Sequence, residues 1–211
     1  MGACEVLTVN VVYRVGPGYF HDTAIDKRPV DGPVEVTTLG LAGDRQVSSA
    51  HGGPDKAVYA YSDEDARWWA GQLDWEVPPG LFGENLRTRG VEVSRAVVGE
   101  RWQVGSAPLE VRMPRTPCEN LSLRLGIERF HLRFNSTGRV GALLRVLQPG
   151  VVRAGDEITV VERAGHGVRV CDLATGPDAA HMRRLLGSGV PLAANIRAKA
   201  HRVVRRAEQV R

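Results

Sequence analysis

Met113-Pro114-Arg115-Thr116-Pro117-Cys118-Glu119-Asn120 joins two segments of different periodicity. Ahead of it, Pro108-Leu109-Glu110-Val111-Arg112-Met113 alternates apolar and polar, the pattern of a half-buried strand. Behind it, Leu121, Leu123, Leu125 and Ile127 lie in a short segment that Gly126 can end. Pro114 and Pro117 fix φ near about −65° and bias the residue before each toward extended geometry. The stretch therefore predicts a strand-to-helix turn with Cys118 at the turn and Arg115 close by. Free N–H groups at a helix start and a nearby guanidinium both favour thiolate over thiol, and the thiolate is the form that attacks or ligates. A lone cysteine is more often a small buried hydrophobe than a reactive group, so other stretches have to decide between the two.

Short apolar runs surround this turn. Cys4 to Val15 reads as a strand, Gly16-Pro17-Gly18 breaks it, and Thr23-Ala24-Ile25 begins another. Val34 to Leu39, Ala57 to Tyr61, Val91 to Val98, Trp102 to Val104, Val140 to Leu147, Val151-Val152 and Ile158 to Val161 continue the series between glycine turns. Short strands this closely spaced argue for a β-barrel or sandwich. Ser62, with Asp65 three residues on, caps a helix whose Trp68, Trp69 and Leu73 supply a buried stripe. Glu128 to Phe134 is a second helical segment. From Asp172 the texture changes: Asp178 caps Ala179 to Leu186, and Pro191 suits the first turn of a last helix. Leu192, Ile196, Val203 and Ala207 fall on one side of that helix, while Arg197, Lys199, Arg202, Arg205 and Arg206 crowd the remainder as a solvated face. The expected class is mainly β (α+β), with a β domain over residues 1–163 and a helical extension over 164–211.

The 211 residues carry a formal charge of only +4, and much of the positive excess sits at the C-terminal end. That balance argues against a dedicated nucleic-acid binder. Cys4, Cys118 and Cys171 are far apart, odd in number and free of CxxC spacing, which fits a reducing cytoplasm. A basic-then-apolar leader and an apolar run of about 18 residues are both lacking, which argues against secretion and membrane spanning.

Three glycine-rich loops carry polar groups beside apolar strands: Gly43-Asp44-Arg45, His51-Gly52-Gly53-Pro54-Asp55-Lys56 and Phe82-Gly83-Glu84-Asn85. Glycine lets backbone amides approach a ligand, and Arg or Lys among such amides suits a phosphate. The spacing fits neither a Walker loop nor a dinucleotide fingerprint. His51 stands as a metal ligand, a general acid or a loop-stabilising donor, with no HxH or HExxH partner.

In order, Leu39-Gly40-Leu41-Ala42-Gly43-Asp44-Arg45-Gln46, His51-Gly52-Gly53-Pro54-Asp55-Lys56-Ala57, Phe82-Gly83-Glu84-Asn85-Leu86 and Pro114-Arg115-Thr116-Pro117-Cys118 resemble the successive signatures of MOSC-domain proteins. That family is named for the C-terminal domain of molybdenum cofactor sulfurase. Asn135-Ser136-Thr137-Gly138-Arg139-Val140-Gly141 and Pro149-Gly150-Val151 add a likeness to its YiiM-like subgroup, and the match runs from about Thr23 to Val161. The resemblance implies a MOSC-type β-barrel with a few inserted helices and a C-terminal helical extension. It implies binding of the molybdenum cofactor, a pterin with a dithiolene and a phosphate, with Cys118 as the molybdenum ligand. Lys27, Arg45, Lys56 and Arg115 become candidates for the phosphate or pterin, and Thr116, Asn120 and Asn85 for polar contacts. His51 and Asp44 become candidates for donating or relaying protons. The implied activity is reduction of N-hydroxylated small molecules to amines. The chain carries no ferredoxin-like cysteine set and no flavin or nicotinamide fingerprint, so electrons would come from a separate flavoprotein or iron–sulfur donor. The alternative is a non-catalytic carrier of the cofactor or of cysteine-bound sulfur. One departure from the pattern is acidic Glu119 directly after Cys118, expected at a helix start to face water.

Overall fold

The computed structural model describes residues 3–47 and 52–209. Two long strands, β1 (Glu5–Gly16) and β2 (Thr23–Val30), form an antiparallel hairpin. The second runs on through Lys27, Arg28 and Pro29, well past the Thr23-Ala24-Ile25 signal. Three short strands, β3 (Val34–Thr37), β4 (Gly40–Leu41) and β10 (Gly150–Val152), make a small sheet in the order β10-β3-β4. The main sheet adds β5 (Val58–Ser62), β6 (Leu86–Arg89), β7 (Arg101–Val104), β8 (Ala107–Pro114), β9 (Ala142–Val146) and β11 (Ile158–Glu162). Its order is β11-β7-β8-β9-β5-β6-β1-β2. Among the described residues only the β5–β6 pair is parallel, and the helix α1 (Asp63–Leu73) lies in the connection between those two strands.

The sheet curls without closing as a full barrel. Val6 N–H donates to the Asp156 carbonyl (2.9 Å), Gly155 N–H to that of Val6 (2.8 Å) and Ile158 N–H to that of Cys4 (2.8 Å). These bonds tie the approach to β11 to the start of β1, so backbone groups at two distant places in the strand order satisfy each other. The result is an α+β fold, as the strand-rich sequence requires.

Helix α1 starts where its cap predicts: the Ser62 hydroxyl accepts from Asp65 N–H (3.2 Å). Trp69 is fully buried, with Trp68 and Leu73 packed at the edge of the core. Trp69 stacks on Phe134 at 5.4 Å between centroids, and Tyr61, Phe82 and Phe130 complete an aromatic cluster. All five of these rings are buried within the main hydrophobic core. Gly141, at φ +65°, has the Ala60 carbonyl 2.4 Å from where a Cβ would stand. No other residue lets β9 begin that close to β5.

Several local expectations shift. Val91 to Val98 is not strand: a 3₁₀ turn at Val93–Arg95 replaces it. There Ser94 Oγ donates to Asp65 Oδ2 (2.6 Å) and accepts from Gly141 N–H (3.0 Å), anchoring the turn by its side chain instead of by a ladder. The helical segment expected over Glu128 to Phe134 is α3 (Phe130–Ser136), which starts late because Arg129 adopts a left-handed conformation. Helices α2 (Glu119–Leu125), α4 (Val170–Thr175), α5 (Ala179–Leu186) and α6 (Ala194–Gln209) complete the chain. Pro191 lies ahead of α6 and not in its first turn. Val170, Leu173, Met182, Leu185, Ile196 and Ala200 join the same hydrophobic core as the sheet, so the C-terminal helices pack on the β portion.

Candidate functional site

The proline-framed turn places Cys118 as the residue before α2, in extended conformation (φ −107°, ψ −172°), half-buried. Its thiol opens into a cavity of about 350 Å³ between strand ends and α6. The lining comes from β2 (Lys27), the loop after β4 (Arg45), the 3₁₀ turn Pro54–Lys56 (Lys56), the loop before β6 (Asn85), the β8–α2 turn (Arg115, Thr116), α2 (Asn120) and α6 (Asn195, Lys199, Arg202). Thus all seven residues expected from sequence to bind a cofactor border one space together with Cys118. Among the described residues, no aspartate or glutamate lines it.

Asp44 stands behind this wall, and its oxygens are occupied. They accept from Lys27 Nζ (2.7 Å), Asn85 Nδ2 (2.7 Å) and Val12 N–H (3.2 Å). Asn85 is equally committed: its Oδ1 accepts from Tyr59 N–H (3.0 Å), and its amide also donates to the Asn10 carbonyl (3.3 Å). Both residues hold Lys27 in place from the rear. Burial pushes the Lys27 ammonium below the ordinary lysine value of 10.5; the Asp44 carboxylate opposes that shift and the Arg115 guanidinium adds to it.

Asn120 is buried, and its Oδ1 accepts from Tyr19 N–H (2.7 Å), leaving its amide hydrogens for the cavity. Gly18 permits that approach, since a Cβ there would stand 2.8 Å from Asn120 Oδ1 and 2.4 Å from the His21 carbonyl. Arg115 donates to the Thr116 carbonyl (2.9 Å) and lies 5.9 Å from the Tyr59 ring, without an ion pair among the described residues. Asp55, which sequence grouped with Lys56, faces away: Arg112 and Arg145 clamp it at 2.7 Å each and so fix the turn that carries Lys56. Glu119 also turns from the cavity, 41% exposed and 4.0 Å from His131 Nε2. His51 lies outside the described residues.

Sequence reasoning missed Asn195, Lys199 and Arg202. Their spacing of four and then three residues sets them on one helix face, beside the buried Ile196 and Ala200. Counting the basic residues of α6 together as a solvated face concealed that register. Among the described residues, no group of three or more His, Cys, Asp or Glu is placed to hold a metal ion by itself. No helix among them is long and apolar enough to cross a membrane.

The MOSC domain family model matches residues 47–159. Protein YiiM of Escherichia coli K12 is 38% identical over 146 residues, covering 67% of this chain and 65% of that protein. A protein named reductase from Gibberella moniliformis is 36% identical over 149 residues, which are 67% of this chain and 26% of that protein. The chain thus spans just under two thirds of the first relative and about a quarter of the second. The crystal structure of YiiM from Geobacillus stearothermophilus superposes with a TM-score of 0.79 at 26% identity, over 95% of this chain and 99% of that one.

Proposed function

The chain belongs to the MOSC domain family, and from that membership we propose that its cavity binds the molybdenum cofactor and that the protein reduces N-hydroxylated compounds to amines. The observation that carries this reading is a half-buried thiol opening into a pocket whose charged lining, among the described residues, is entirely cationic. The donor set fits the group. One soft thiolate suits a metal whose remaining ligands arrive with it, and a lining that, among the described residues, presents lysines and arginines but no carboxylate suits a phosphate. The fungal relative's name, reductase, points the same way.

In this reading Cys118 holds the molybdenum through its sulfur. Lys27, Arg45, Lys56 and Arg115 are the candidates for the phosphate or pterin, and Thr116 and Asn120 donate hydrogen bonds beside the sulfur. Asn85 and Asp44 act by positioning Lys27, because their own polar atoms are already engaged. His51, five residues ahead of Lys56 in the sequence, is the proposed proton donor. When bound, the cofactor supplies the redox chemistry: N–O cleavage takes up two electrons and two protons and releases an amine and water. The electrons come from a separate flavoprotein or iron–sulfur protein.

The second reading is a carrier of cofactor or cysteine-bound sulfur, and one observation favours it: no described acid or histidine lines the cavity. Cofactor-loaded protein, supplied with an artificial electron donor and an aromatic hydroxylamine, separates the two. The reductase reading expects amine formation that Cys118→Ser abolishes. Stoichiometric delivery of cofactor or sulfur to an acceptor enzyme, with no amine formed, establishes the carrier instead.

A further inference from the structure

Among the described residues, six cationic side chains border the cavity, more than the net charge of +4 of the whole chain, and they come from the strand ends and from α6. Lys27, Arg45, Lys56 and Arg115 stand on the strand-end side, while Lys199 and Arg202 stand on α6. We propose that Lys199 and Arg202 form a second anion subsite, which takes the phosphate-ester end of a ligand whose other end lies at Cys118. The assignment rests on the cofactor reading for the identity of the ligand, but not for the existence of the subsite.

Three features carry it. Lys199 is half-buried, and its Nζ donates to the Leu173 carbonyl at 2.7 Å, which orients the ammonium without neutralising it. Arg202 lies one turn further on the same face and forms no ion pair among the described residues. Two like charges one turn apart repel each other, so the arrangement is unfavourable until an anion joins them. Burial and the neighbouring Arg202 both push the Lys199 ammonium below the ordinary lysine value, as expected for a cation short of counter-charge. The wall is also fixed to the strand-end side: Asn195 Nδ2 donates to Met113 Sδ (3.5 Å), just ahead of the Arg115 turn. Arg205 and Arg206, exposed like Arg202, are absent from the lining.

The test is calorimetric titration with inorganic pyrophosphate of full-length protein purified from cells unable to make the cofactor. Wild type should bind. The double variant K199Q/R202Q should lose at least about tenfold in affinity, the scale of one charge-assisted hydrogen bond. R205Q/R206Q should bind as wild type, which excludes a general charge effect, and equal melting temperatures exclude misfolding. Absence of pyrophosphate binding by wild type, unchanged affinity in K199Q/R202Q, or equal loss in R205Q/R206Q overturns the subsite. The cofactor reading is scored separately, by the fluorescent oxidised pterin released from protein made in cofactor-competent cells. Pyrophosphate binding that depends on Lys199 and Arg202, with no pterin in any preparation, keeps the subsite and sinks the cofactor. Pterin in wild type, with pyrophosphate affinity unchanged in K199Q/R202Q, does the reverse.

Discussion

Arg87 and Arg115 carry the same guanidinium, and the fold treats them in opposite ways. Arg87 is 1% exposed and saturated: it pairs with Glu84 (2.5 Å) and Asp63 (3.6 Å) and donates to the carbonyls of Val77 and Pro78. Glu84 in turn accepts the Gly80 and Phe82 N–H groups, so the charge of the whole loop is consumed internally. Arg115 lines the cavity with one backbone contact and no ion pair among the described residues. Neighbourhood, not residue type, separates a strut from a binding group. A buried charge without a partner costs several kcal/mol, so cations left without carboxylates at a cavity mark where an anion belongs.

The largest effect should come from breaking the saturated side. Glu84→Ala strands a buried guanidinium and two backbone donors, and should cost about 3–5 kcal/mol in urea unfolding. If its stability matches wild type, the contrast with Arg115 has no basis. Lys27→Met is intermediate, since it strips the cation from an Asp44 carboxylate that is 4% exposed. It should cost about 3 kcal/mol, less if the Asn85 and Val12 donors to Asp44 suffice. Arg115→Gln should sit at the other pole, with stability within about 0.5 kcal/mol of wild type and pyrophosphate affinity lowered about tenfold. A loss of stability without a loss of affinity would move Arg115 into the class of Arg87.

The smallest effect lies far from the cavity. His166 donates from Nε2 to the Val98 carbonyl (2.8 Å) and accepts from Val168 N–H at Nδ1 (3.0 Å). The Val168 bond requires an unprotonated Nδ1, and burial holds the His166 pKa below the ordinary 6.5 against the opposing Val98 bond. The unfolded chain therefore takes up the proton first. His166 stabilises the fold above about pH 6.5 and loses that contribution as pH falls through its folded value. Thermal melts across that range should show an acid-side decline that His166→Gln flattens.

Much of the cavity was legible because its residues sit in short, glycine- or proline-framed stretches where chain direction is nearly forced. Pro114 and Pro117 deliver Cys118 to a turn, and Gly18 lets the first hairpin reach Asn120. What was not legible depended on partners distant in sequence. The hydrogen bonds of Asp44 and Asn85 could not be read from sequence, because Lys27, Tyr59 and Asn10 reach them from other elements. Val91 to Val98 looked like strand, but Ser94 anchors a 3₁₀ turn through Asp65 and Gly141. Lys199 and Arg202 looked like solvated charge, and only the docking of α6 through Ile196 and Ala200 brings them to the cavity, Lys199 half-buried and Arg202 exposed at its edge.

The most direct test is elemental analysis of protein purified from cells supplied with molybdate, wild type beside Cys118→Ser. Wild type should carry stoichiometric molybdenum, and the variant should lose most of it while keeping the wild-type melting behaviour. Equal metal in both proteins, or none in wild type from cofactor-competent cells, would contradict the assignment of the Cys118 sulfur as the ligand.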